Sequence, residues 1–199
     1  MTIAKNVFVI LLPVITVGLF GFSIYVHELG HYMAAHICKN RFDADVSFEL
    51  KFDRFYVPSC VEIGGMLSDY ERIFILSAGP ISNFLVSLFL VPIFPLFSAT
   101  IYTAAPLFIL FLINFVFFVD NILPVVPDDL KSGRDGGKLV VILNYVYPRI
   151  KSKTFGCFLR TYFWFSRCIS KNSLAKMSHN YRKNKWSLEK LDSNQTVRQ

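Results

Sequence analysis

The run NVFVILLPVITVGLFGFSIYVHELGH, Asn6 to His31, decides the fold. From Asn6 to Val26 it carries no charged residue, and roughly 20 such residues match a hydrocarbon core about 30 Å thick. A signal peptide has an apolar core of only about 7–15 residues and a small-residue cleavage site; this run passes straight into His27 without one. It reads as a retained helix ending in His27-Glu28-Leu29-Gly30-His31. Helical residues i and i+4 share a face, so His27 and His31 can offer two imidazoles to one zinc ion, with Glu28 in reach of the ion's water. Ionisable groups in or beside lipid are costly and mark function, which makes these three side chains the first candidates for chemistry.

Composition agrees with a membrane setting. Hydrophobic residues make up 53 % of the 199 and charged ones 18 %, where a soluble domain carries about 25 % charge. Two further stretches are long and apolar enough to span, about Ile73 to Phe97 and Ile101 to Val119, joined by a tight turn at 98–100. The shorter apolar segments 139–147 and 154–169, broken by Pro148, Arg149, Arg160 and Arg167, read as interfacial or packed helices. Cys38, Cys60, Cys157 and Cys168 are scattered with no CxxC pair, which suits reduced thiols rather than a metal knuckle.

Basic residues set the orientation. Lys5 alone precedes the first span, whereas Lys39, Arg41, Lys51, Arg54, Arg72, Lys131, Arg134 and Lys138 lie on the other side. Three spans then place the HELGH end near the cytoplasmic face. The net charge of +7 is concentrated near the C-terminus, where residues 171–199 hold seven Lys/Arg against Glu189 and Asp192 and read as a basic polar tail beside anionic lipid, not a nucleic-acid site.

One segment breaks the helical pattern. From Phe42 to Phe52 the even positions (Phe42, Ala44, Val46, Phe48, Leu50, Phe52) are apolar and the odd ones polar, the period of a strand with one greasy face. Residues 55–57 and 61–63 can pair beside it before Gly64-Gly65, giving a small hairpin between the first and second spans. Its free edge could receive an extended substrate by strand addition.

HELGH in the first span, Gly79-Pro80-Ile81-Ser82-Asn83 in the second, and Asn121-Ile122-Leu123-Pro124 followed by Asp135-Gly136 together resemble the site-2 protease family of intramembrane zinc metalloproteases. The resemblance covers about residues 20–140. It implies a mainly α, polytopic membrane protein with about three core helices, the hairpin over 42–65 and shorter C-terminal helices. The metalloprotease domain would be 1–170 and the tail 171–199. It implies one catalytic Zn2+ held by His27, His31 and Asp135, with Glu28 as catalytic base, and Asn121 and Asn83 as candidates for contacting substrate or an oxyanion. Asp135 lies eleven positions after Pro124, farther than the usual pattern, so Asp128 and Asp129, after Pro127, stay open as alternative third ligands. His36, about 140° round the helix from His31, reads as interfacial, and His179 as solvated.

The function implied is endopeptidase cleavage of membrane-anchored proteins or peptides within or near the bilayer, in a multi-pass protein of the bacterial cytoplasmic membrane. The alternative is an inactive member of the fold that grips peptides as a binding, immunity or regulatory factor.

Overall fold

The computed structural model describes residues 2–39, 46–50, 59–63, 67–97, 100–126, 134–149, 153–170 and 173–183. The chain divides into two compact units, residues 1–121 and 122–199. Three helices are long and apolar enough to cross a membrane.

In the first unit, helix α1 runs unbroken from Thr2 to Lys39. The expectation that the helix ends in His27–His31 is corrected: no proline lies between His31 and Lys39, and Ala34 and Ala35 favour continued helix. Its apolar stretch Asn6–Cys38 has 33 residues, about 50 Å at 1.5 Å per residue, so HELGH lies within a continuous helix and not at its end. Strands β1 (Val46–Leu50) and β2 (Ser59–Ile63) follow and pair antiparallel, Val46 opposite Ile63 and Leu50 opposite Ser59. The rest of the alternating segment, residues 42–45 and 51–52, lies outside the described residues, as do 55–57 and Gly64-Gly65.

Helix α2 (Asp69–Phe97) starts on a capping box. Glu71 N–H donates to Ser68 Oγ, and the Glu71 carboxylate accepts from Ser68 N–H at 2.8 Å. Pro80, Pro92 and Pro95 all lie inside α2, which a membrane helix tolerates where neighbours satisfy the freed carbonyls. Helix α3 (Ile101–Ile122) completes the unit. Outward-facing Val9, Ile10, Val17, Phe89 and Val116 are exposed, the surface expected of helices that meet lipid.

Small residues bring α1 and α2 together. Ala34, Ala35 and Cys38 are buried with Ile75 of α2. Gly30 has the tightest place: a Cβ there would collide with Ser82 Oγ and come within 2.6 Å of the Ala78 carbonyl oxygen. With lipid as apolar as any side chain, close backbone approach of this kind is a principal source of helix association.

The second unit is built around helix α4 (Asp135–Val146), in which Gly136, Gly137, Leu139, Val140, Val141, Ile142, Leu143 and Val146 are all buried. A short 3-10 turn (Tyr147–Arg149) leads towards helix α5 (Lys153–Ile169). Leu159 and Phe163 of α5 are buried, and Phe163 meets Tyr147 edge-on. Residues 174–183 are also helical, and Leu174, Met177 and Tyr181 are buried there. Asn144 Nδ2 donates to Ser178 Oγ at 2.9 Å, and Ser178 Oγ donates to the Val141 carbonyl. The start of the expected polar tail is therefore a packed helix, because Leu174, Met177 and Tyr181 recur at helical spacing. His179 is exposed on it, and residues 184–199 lie outside the described residues.

Glycines separate two mutational outcomes. Gly30→Ala is expected to destabilise the helix pair by about 1–3 kcal/mol, as overpacking does. Gly18 and Gly21, where a Cβ meets nothing within 4 Å, are expected to accept Ala without loss. Thermal unfolding of the three variants in one detergent checks this ordering.

Candidate metal centre

His27 and His31 lie one turn apart on α1, both buried at 8 % exposure, with their rings edge-on and 4.8 Å apart. Each Nδ1 is held by a carbonyl-type oxygen. His27 Nδ1 is 2.7 Å from Asn83 Oδ1, and His31 Nδ1 is 2.7 Å from the backbone oxygen of Ile75. Both partners can only accept, so each Nδ1 carries a hydrogen, and in the neutral imidazole each Nε2 then keeps its lone pair.

Those two Nε2 atoms face each other at 3.2 Å. Lone pairs at that distance repel, and a shared cation turns the repulsion into two bonds. A tetrahedral zinc with bonds of about 2.0–2.1 Å holds its nitrogens about 3.3–3.4 Å apart, so the spacing fits such an ion. Space is kept for it by Gly79 of α2, where a Cβ would strike His31 Nε2 and come within 2.8 Å of His27 Nε2. The Gly79-Pro80 pair thus serves close approach of backbone to imidazole.

Asn83 is fully buried at 0 % exposure. Its Nδ2 donates to the Ser23 carbonyl at 3.1 Å and to Asn114 Oδ1 at 2.8 Å, which leaves Oδ1 for His27. Both N–H bonds are taken inside the helix bundle, so this geometry offers Asn83 as the support of His27 and supplies no free donor for an oxyanion. Asn114 in turn donates to Ser23 Oγ at 2.9 Å and to the Leu110 carbonyl, and Ser23 Oγ donates to the Leu19 carbonyl. Sequence reasoning missed Ser23 and Asn114. The available signal was an amide in the middle of the most apolar helix, where a polar group without partners costs several kcal/mol.

Glu28 is half-buried beside the pair, and His36 is exposed and stacked on Tyr32. Asn121, at the end of α3, donates from Nδ2 to the Phe117 carbonyl at 3.0 Å.

Within the second unit, Asp135 is half-buried in the first turn of α4. Gly136 presses on the backbone of Ile122 and Leu123: a Cβ there would fall within 2.7 Å of the Ile122 oxygen. The eleven-residue separation between Pro124 and Asp135 therefore returns the Asp-Gly pair to the Asn-x-x-Pro segment. Helix α5 fixes that segment with one stripe. Tyr162 donates to the Ile122 carbonyl at 2.9 Å, Ser166 to the Pro124 carbonyl at 2.6 Å, and Ser170, just beyond the helix, accepts from Val126 N–H at 2.8 Å. Burial pushes the Tyr162 pKa well above its ordinary value, which keeps the hydroxyl a donor. Asp128 and Asp129 lie outside the described residues.

Residues 15–105 match peptidase family M50, the site-2 protease family. The M50 stretch takes in His27, Glu28, His31, Gly79 and Asn83 and stops before Asn114, Asn121 and Asp135. No curated protein and no solved structure matches the chain. Three helices of spanning length together with the M50 match over 15–105 support an integral membrane protein.

Gly79→Ala tests the space over the imidazoles. The variant is expected to fold, with the helix signature of the parent, and to retain little metal after purification; zinc content per chain is the measurement.

Proposed function

We propose that the protein is a zinc-dependent intramembrane endopeptidase that cleaves membrane-anchored proteins or peptides within or near the bilayer. The observation that carries the reading is the pair of buried imidazoles whose Nε2 atoms are turned to a common point by Asn83 and the Ile75 carbonyl. The M50 match over 15–105 supports it independently.

The ligands in this reading are His27, His31 and Asp135. Two imidazoles and a carboxylate are ligand types that zinc takes, and a catalytic zinc uses three protein ligands and leaves a position open. Bound there, zinc would polarise the scissile carbonyl and bring the pKa of a coordinated water towards about 7. Glu28, adjacent to His27 and half-buried, takes the proton of the attacking water and delivers it to the leaving amine. With each Nδ1 engaged by an oxygen, His27 and His31 turn Nε2 toward the ion's place. Asn121 stands as the candidate for contacting substrate backbone or the developing oxyanion.

A helical substrate hides its amide bonds and must be unwound locally before attack. The β1–β2 pair, two strands among the described residues, has outer edges that could supply replacement hydrogen bonds to an extended chain. The basic residues that follow the first span favour a centre near the cytoplasmic face, where the path for water is short.

Glu28→Gln decides between cleavage and mere binding. Purified protein is expected to bind about one zinc and cut a transmembrane peptide, and the variant to keep the zinc while losing at least about 10²-fold in rate. Zinc with peptide binding but no cleavage in the parent would favour the non-catalytic alternative.

A further inference from the structure

Helix α3 gives no ligand to the centre, yet one of its side chains sits two hydrogen bonds from His27. We propose that Asn114 is a positioning residue for the metal: through Asn83 it sets which nitrogen of His27 is left to coordinate.

The argument rests on the direction of each bond. An amide group is nearly symmetrical in shape, and either end of Asn83 could face His27. With Oδ1 there, His27 holds its hydrogen on Nδ1 and bares Nε2; with Nδ2 there, the tautomer reverses and Nε2 carries the hydrogen. Two acceptors fix the choice, the Ser23 carbonyl at 3.1 Å and Asn114 Oδ1 at 2.8 Å, and Asn114 makes the shorter bond. The orientation of Asn114 is itself determined, because its Nδ2 donates to the Leu110 carbonyl, which cannot donate in return. Its second hydrogen goes to Ser23 Oγ at 2.9 Å, which donates onward to the Leu19 carbonyl at 2.9 Å.

All three of Ser23, Asn83 and Asn114 are buried to 2 % exposure or less, so water does not stand in for a missing partner. Removing Asn114 leaves one amide hydrogen of Asn83 without its acceptor in a dry site. That loosens Asn83 from the orientation that His27 needs. His31 is set separately, by the backbone of Ile75, and is not part of the relay. The relay therefore makes α3 a determinant of the metal's affinity although it touches no ligand. Supports of this kind, when removed from other metal sites, lower affinity by roughly 10–100-fold.

This inference rests on the zinc reading of His27 and His31, and the experiment separates the two. Full-length chain with 15N-labelled histidine is purified in detergent and stripped of metal. Nitrogen chemical shifts then report the tautomer of His27, assigned by its loss in His27→Gln, and cobalt titration reports affinity. The wild type is expected to show His27 hydrogenated on Nδ1. Asn114→Leu is expected to populate both tautomers and bind cobalt about tenfold or more weakly. Asn114→Asp keeps an oxygen that accepts from Asn83 Nδ2, and is expected to recover most of the loss seen in Asn114→Leu. If Asn114→Leu does not yield folded protein, Asn114→Ser is read in the same way.

An Asn114 variant with the wild-type tautomer and affinity would overturn the inference. So would an Asn114→Asp variant no better than Asn114→Leu, since Asn114 would then act on the fold and not through Asn83. A tautomer shift in a protein that binds no cobalt would uphold the relay and refute the metal reading instead.

Discussion

The hydrogen bond from His27 Nδ1 to Asn83 Oδ1, 2.7 Å long and buried, is the interaction on which the centre depends. It joins α1 to α2 and determines the tautomer of the first imidazole. The matching bond from His31 Nδ1 to the Ile75 carbonyl does the same for the second. Without them, two imidazoles one turn apart are two polar rings in an apolar bundle, an arrangement that costs free energy and does nothing. With them, both lone pairs are committed to one point 3.2 Å wide.

Two glycines make that bond possible. Gly30 on α1 lets the Ser82 and Ala78 turn of α2 come close, and Gly79 on α2 lets the imidazoles of α1 lie against its backbone. The contacts are reciprocal: each motif supplies the glycine that the other motif's bulk requires. Such close packing replaces the hydrophobic drive that lipid removes, and it aligns the turn carrying the ligands with the turn carrying their support.

Much of this was legible in the sequence, and for physical reasons. The spans follow from length and polarity, HELGH from the helical repeat, and the alternation around Val46–Leu50 from the period of a strand. The continuation of α1 to Lys39 was not, because a charged motif after an apolar run looks like the end of a membrane helix. Here it is buried against α2 instead. Asn83 could be singled out as an intramembrane amide, but only the partners of its two ends reveal that it serves His27. Ser23 and Asn114 carry no motif; their roles exist only in the packing of three helices. The packed helix over 174–183 was hidden by the basic charge around it, which lies on its exposed side while Leu174, Met177 and Tyr181 face inward.

The central claim is that one ion is held at the Nε2 atoms of His27 and His31. X-ray absorption at the zinc edge of the purified, full-length protein tests it most directly. The account predicts a four-coordinate site with two imidazole nitrogens at about 2.0–2.1 Å and oxygen in the remaining positions, lost in His27→Ala and His31→Ala. Zinc coordinated by sulfur at about 2.3 Å, or zinc retained in both alanine variants, would contradict it.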